Sequence, residues 1–222
     1  MKLISAIWIL LLVLTGCARP EAESAPDFLI RVGSSIMTPA EFDRAFEVCK
    51  TSYDYEQLDA PEALKAAKLR FLREMIEQLT LTERARELQL TISDAELGTA
   101  VKEMQSGYPE GEFKKSLLES ALSYRAWRDG LRTRMLMEKV VRKDLAETLP
   151  LSPQEIEAFR VAQKTGKKTK DRAAAEAPDD PVVEAHLRRE KTEASYPGWV
   201  ETLRKRYTVQ INRERLEELL NS

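Results

Sequence analysis

Three short strings constrain this chain more than anything else in its sequence: Thr38-Pro39-Ala40-Glu41, Ser93-Asp94-Ala95-Glu96 and Ser152-Pro153-Gln154-Glu155. Each sets a hydroxyl three residues ahead of a glutamate. At that spacing the hydroxyl accepts from an orphan N–H of a helix's first turn, while the carboxylate reaches back to the N–H of the cap residue. Pro39 and Pro153 fall at the first helical position, where no N–H is needed. Three helix starts are thereby predicted, and the chain around them must fold from helices.

Apolar spacing fills in the helices. From Pro61, the residues Leu64, Ala67, Phe71, Met75 and Leu79 recur at helical intervals and Leu72 and Ile76 widen the stripe, predicting one long core helix that runs on towards Leu88. A shorter helix runs from Asp94 to about Gln105 and stops at Gly107-Tyr108-Pro109; another covers residues 113–121. A long one follows Ser123 as far as Leu149, ended by Pro150. Helix resumes over residues 182–206, interrupted or kinked near Tyr196-Pro197-Gly198. Only two segments read as β: residues 28–32 and 207–211, both rich in β-branched and aromatic side chains. A lone short strand leaves its backbone unsatisfied, so the two are expected to pair and bring the ends of the folded part together. The fold class is therefore mainly α, a helical domain closed by a small sheet of N-terminal and C-terminal strands.

The first residues have another purpose. Lys2 precedes an apolar run from Ile4 to Leu14, broken only by Ser5, which reads as the core of an export signal. It stops short of the roughly 20 residues that span a bilayer core of about 30 Å. Leu14-Thr15-Gly16-Cys17 resembles the bacterial lipobox, which implies a cleaved signal over residues 1–17 and acyl chains on Cys17; the alternative is an ordinary secretory signal that happens to end in cysteine. Several acyl chains anchor durably where one binds only marginally. By resemblance to lipoprotein sorting in two-membrane bacteria, Ala18 in place of an aspartate directs the protein to the periplasmic face of the outer membrane, in preference to the inner membrane. Residues 18–27 are polar, contain two prolines and read as a tether of at most ~30 Å, so the folded part is expected to begin near Phe28.

Charge and cysteine usage narrow the functions. The formal net charge is −2 with both signs interspersed, so no broad basic face for nucleic acid is expected. With Cys17 acylated, Cys49 has no intrachain partner; following Phe46 and Val48 on an amphipathic helix, it reads as a buried structural thiol. His186, the single histidine, lies among alternating acids and bases and reads as an exposed helical residue, which leaves no histidine and cysteine set for a metal. No G-x-S-x-G elbow, Gly-rich phosphate loop or H-E-x-x-H pair occurs. Neither catalytic residues nor a cofactor are expected. Periodicity also vanishes over residues 163–180, where Lys164, Lys167, Lys168, Lys170 and Arg172 precede an alanine-rich, then acidic stretch. That segment reads as a disordered loop, a solvated linker or else a contact for anionic lipid or peptidoglycan.

What remains is surplus apolar surface. After Ser123, the side chains of Tyr124, Trp127, Leu131, Met135, Val141 and Leu145 form one broad helical face, while Leu136, Met137 and Val140 fall outside its centre. Either the helix lies between two layers of the domain, or part of it lines an exposed cradle for another chain. Met135 and Met137 suit a cradle because the thioether adapts to varied partners. Tyr108 and Phe113, in a connection containing Gly and Pro, are candidates for its rim.

Taken in order, these segments resemble the N-terminal chaperone domain of SurA and the foldase lipoproteins of the PrsA type. The resemblance is carried by Val32-Gly33, Ile36, Thr38-Pro39-Ala40-Glu41-Phe42, the helix from Leu69 to Leu88, Leu90-Thr91-Ile92-Ser93-Asp94-Ala95-Glu96-Leu97 and Tyr108-Pro109-Glu110-Gly111-Glu112-Phe113. It continues through the helix to Leu145, Leu151-Ser152-Pro153-Gln154-Glu155-Ile156 and the closing portion Trp199 to Ile211. It implies a helical domain over residues 28–162, completed by a returning helix, strand and final helix over residues 181–222. Family members often carry a parvulin-type prolyl isomerase module at the place that residues 163–180 occupy here. Such a module needs roughly 90 residues and its own sheet, so isomerase activity is not expected. The implied function is ATP-independent holding of unfolded or nascent envelope polypeptides, with Tyr108, Phe113, Tyr124, Trp127, Met135 and Met137 as candidate contacts. The alternative is an accessory lipoprotein docked permanently on one envelope partner; a prolyl isomerase ranks behind both.

Overall fold

A computed structural model describes residues 27–50, 60–166 and 180–221. The expected signal, the lipidation site at Cys17, the tether up to residue 26 and the basic cluster from Lys167 to Arg172 lie outside the described residues.

The chain opens with strands β1 (Ile30–Val32) and β2 (Ser35–Met37) and helix α1 (Pro39–Lys50). Helices α2 (Pro61–Glu87), α3 (Asp94–Ser106), α4 (Glu112–Glu119) and α5 (Tyr124–Val140) follow, and α5 runs directly into a π-helical turn, Val141–Ala146. The rest comprises α6 (Pro153–Gly166), α7 (Asp180–Arg206), β3 (Val209–Ile211) and α8 (Arg213–Asn221). Helix α6 thus takes in the start of the stretch expected to be aperiodic, and residues 167–179 lie outside the described residues.

The expected pairing of the two β segments is present: β1 runs antiparallel to β3, with Ile30 opposite Ile211 and Val32 opposite Val209. Both strands are shorter than the sequence suggested. A third, β2, pairs with the other edge of β1, giving the order β2-β1-β3. The turn into β2 depends on Gly33, whose φ of +57° an L side chain rarely adopts. A Cβ there would come within 2.9 Å of Glu83 Oε2. That carboxylate cannot easily yield, because it accepts from Ser34 Oγ at 3.1 Å and from Arg86 Nη1 at 2.5 Å. Gly33→Ala is expected to cost about 1–2 kcal/mol from backbone handedness alone; an unchanged urea midpoint would contradict this reading of the turn.

Helix α2 is the axis of the molecule. One end of it meets the sheet, α1 and α8 in a cluster built on Leu29, Ile30, Phe42, Phe46, Phe71 and Leu219. Buried Lys68 on the same helix donates to the Leu219 carbonyl at 2.6 Å, satisfying the end of α8. Further along, Leu81 and Ala85 pack with Val140 of α5 and Leu203 of α7, and Leu136, Met137 and Trp199 complete that second cluster. A third holds Leu97 and Val101 of α3 against Leu131 of α5, with Met104, Trp127 and Met135. Helix α5 therefore serves two cores at once. This accounts for apolar residues around so much of its circumference and assigns most of them to the two-layer alternative.

The sequence places an unbroken helix after Ser123; the structure widens it over Val141–Ala146. Within this wider turn lies Asp144, which accepts from Arg84 Nε at 2.8 Å, pairs through its other oxygen with Arg84 Nη2, and accepts from Trp199 Nε1 at 2.9 Å. The side chains of both ions are less than one-fifth exposed. Helix α7, expected to be interrupted or kinked near Tyr196-Pro197-Gly198, runs through Pro197 without interruption. It is fixed to its neighbours on both sides of the proline, by Tyr196 to Glu77 Oε1 (2.5 Å) and by Trp199 to Asp144, so the lost backbone bond does not break it. Cys49, expected to be buried, is half-buried at the margin of the first cluster, because α1 turns only its Phe42 and Phe46 stripe fully inward.

All three predicted capping boxes are formed. Glu41, Glu96 and Glu155 each accept from the cap N–H at 2.8 Å, and Thr38, Ser93 and Ser152 each accept from the glutamate N–H at 3.2 Å. Two of the boxes also carry a tertiary lysine. Lys139 of α5 reaches Glu96 at 2.7 Å, and Lys191 of α7 reaches Glu155 at 2.7 Å. These lysine bonds, and next the backbone N–H bonds at Ser93 and Ser152, bring both carboxyls down to about 2. A depressed carboxyl contributes stability that is present above its unfolded pKa and lost as pH falls through the folded one. Chemical-denaturant midpoints should therefore hold from pH 7 to about pH 5 and decline steadily towards pH 2, and a midpoint at pH 2.5 equal to that at pH 7 would contradict the assignment.

Candidate functional site

Between α3 and α5 the chain makes a corner. Gly107 and Pro109 end α3, Gly111 at φ +82° turns into α4, and Ser123 Oγ accepts from Ala126 N–H at 3.1 Å to start α5. The corner gathers four aromatic rings. Tyr108 meets Phe113 edge-on with centroids 5.4 Å apart, Phe113 meets Trp127 edge-on at 4.8 Å, and Trp127 meets Tyr124 at 5.7 Å. These are favourable aromatic geometries, each contributing about 0.5–1.5 kcal/mol beyond buried area, so the rings hold one another in place. The two inner rings are half-buried while the outer two stand open, Tyr108 at 44% and Tyr124 at 49% exposure. Trp127 rests on the cluster of Leu97, Val101 and Leu131, whose margin also includes Met104 and Met135. Leu118 of α4 is 71% exposed.

A second apolar feature lies where α7 crosses α5 and its π turn. It is a groove of about 520 Å³, walled by Met137, Val141 and Ala146 on one side and by Ala185 and Tyr196 of α7 on the other, with Leu81 between. Its rim is charged: Arg134, Arg142, Arg188 and Arg189 outnumber Glu138 and Glu193. Arg188 is part of the frame, donating to the Ala146 and Leu149 carbonyls at 2.8 and 3.3 Å where the π turn ends. Tyr196 presents its ring here while its hydroxyl is held by Glu77; burial first, and then that bond, push its pKa up, so it is neutral and apolar at physiological pH.

Of the six side chains that the sequence nominated, Tyr108, Phe113, Tyr124 and Trp127 form the continuous ring ladder. Met135 lies beneath it in the third cluster. Met137 parts from them and lines the groove. The sequence did not single out Leu118, or the α7 wall of the groove. Leu118 could have been found as an apolar residue in a short polar helix; the α7 wall depends on a crossing that no local pattern encodes. Tyr124→Ala is expected to shift the denaturation midpoint little, since half its surface is already in water.

His186, expected to be exposed, is half-buried: α6 packs across α7 and brings Phe159 to 4.9 Å from its ring, with Glu190 at 3.1 Å from Nε2. Among the described residues, no group of three His, Cys, Asp or Glu side chains is placed to hold a metal, and no helix is long and apolar enough to cross a membrane.

Residues 1–142 match the family model described as the SurA-like N-terminal domain. That stretch contains the whole ring ladder, while α7 and its wall of the groove lie beyond it. The foldase protein PrsA of Clostridium acetobutylicum is 26% identical over 144 residues, an alignment covering 58% of this chain and 43% of that protein. The chain thus matches less than half the length of this curated relative.

Proposed function

The chain belongs to the SurA-like N-terminal domain family, and we propose that it is a membrane-anchored periplasmic holdase, binding unfolded or partly folded envelope polypeptides on the ladder of Tyr108, Phe113, Trp127 and Tyr124. The observation that carries this reading is the ladder itself: pre-organised rings, open on their outer side and supported from below by thioethers. Rings held rigid before binding lose little conformational freedom when a client arrives, and aromatic faces accept many side chains without demanding a sequence. Binding is weak and exchangeable, because ordering the client offsets much of the apolar gain. The name of the PrsA relative, a foldase, agrees with this class of activity.

The role is holding, without isomerase chemistry. A proline-containing test peptide should exchange between cis and trans at its uncatalysed rate in the presence of the protein. Anchoring rests on acylated Cys17, placing the ladder on the periplasmic face of the outer membrane; a Cys17→Ala protein should leave the membrane fraction and take up no labelled fatty acid. The holdase activity itself is read from the aggregation of an unfolded outer-membrane protein on dilution from urea. Wild type should delay it, and a Tyr108→Ala/Tyr124→Ala protein, with its helical content unchanged, should delay it several-fold less. Equal delay by both proteins, or none by either, refutes the reading.

A further inference from the structure

We infer that the arginine-rimmed groove is a second station of the same binding track, taking an apolar side chain of an extended polypeptide whose neighbouring residues are acidic. The inference rests on the holdase reading and assigns a client chemistry to it.

Two observations carry it. The first is continuity. Trp127 and Arg134 stand seven residues apart on one side of α5, and Val141, the first residue of the π turn, follows seven residues later, about 21 Å along the axis from Trp127. Arg134 joins the two features physically: it lines the groove, and its Nη2 lies 3.6 Å from Met104 Sδ in the cluster on which Trp127 rests. An extended chain rising about 3.3 Å per residue covers that distance in about six or seven residues. The second is charge. The groove's walls are apolar, yet four arginines face two glutamates around its mouth. Arg189 is engaged with Glu193 at 3.2 Å and Arg188 with backbone carbonyls. Arg134 and Arg142 stand exposed, and a guanidinium offers a carboxylate paired donors in a fixed fork. The ladder selects for apolar content alone; the groove adds a preference of sign.

The test uses three fluorescent peptides of about ten residues with one shared aromatic and aliphatic centre, flanked by Glu, Ser or Lys, and the protein without its signal and acyl chains. By anisotropy in low salt, the Glu-flanked peptide should bind about tenfold more tightly than the Lys-flanked one, and the gap should narrow in high salt. In an Arg134→Ser/Arg142→Ser protein the three affinities should converge on that of the Ser-flanked peptide. Equal affinities in wild type, or a preference that survives in the double variant, overturn the inference. If Tyr108→Ala/Tyr124→Ala then still weakens all three peptides equally, the holdase reading stands without it; if no peptide binds and aggregation is not delayed, that reading falls as well. Self-association in sedimentation that Arg142→Glu abolishes, with no flank dependence, would assign the groove to a second copy and also overturn the proposal.

Discussion

Replacing Asp144 with alanine should lower the unfolding free energy by about 2–4 kcal/mol, somewhat under the cost of breaking a fully buried ion pair, because the pair is part-buried and Arg84 keeps Glu87 at 2.9 Å. Arg84 is left with its Nε and Nη2 facing an empty site, and Trp199 loses the acceptor for its indole N–H. The hydrogen bonds from Arg84, its largest influence, hold the Asp144 carboxyl below the usual carboxylate range despite burial. Its contribution is therefore present above the ordinary carboxylate pKa and lost as pH falls through the lower folded value. Wild type and variant should differ widely at pH 7 and converge towards pH 2. An Arg84→Met/Asp144→Leu protein should recover much of the loss, since an apolar pair avoids the cost of desolvating charge. A loss below 1 kcal/mol for Asp144→Ala at pH 7 would mean that the π turn is held by apolar packing alone.

Phe42→Ala should be comparably severe, at about 3–5 kcal/mol. The ring is wholly buried, edge-on to Phe71 at 5.1 Å and stacked with Phe46 at 6.1 Å, and it joins α1 to α2 beside the sheet. Little nearby can collapse into the void, because the residues around it belong to separate elements each fixed by its own backbone bonding. Phe42 lies in a different cluster from the ladder. At low temperature, where the variant remains folded, its holding of clients should match wild type. A midpoint shift near zero, or a specific loss of holding in folded protein, would contradict this separation.

What could be read from the sequence follows from the range of each interaction. The capping boxes are three-residue devices, so Thr38, Ser93 and Ser152 announced their helices without further context. The β1–β3 pairing was legible across nearly the whole chain because unsatisfied strand edges leave few alternatives. Strand β2 was not, since three residues after a left-handed glycine carry too little pattern to register. The π turn had no local signature either: it places Asp144 against Arg84, a partner 60 positions away. That the helix runs on past Pro197 was hidden for the same reason, since Glu77 and Asp144 hold it from elsewhere in the fold. The ladder was half legible. Tyr124 and Trp127 belonged visibly to one helical face and Tyr108 and Phe113 to one connection, but their contact depends on how the corner between α3 and α5 closes. Met137 left the group because α5 serves two cores, a division that periodicity along one helix cannot reveal.

An unfolded chain lying on the ring ladder is within direct reach of site-specific photocrosslinking. A benzophenone side chain placed at Tyr124 should trap an unfolded outer-membrane client in a one-to-one adduct, and the same group at Glu217, on the exposed side of α8, should trap little. Equal yields at both positions, or a higher yield at Glu217, would contradict the account.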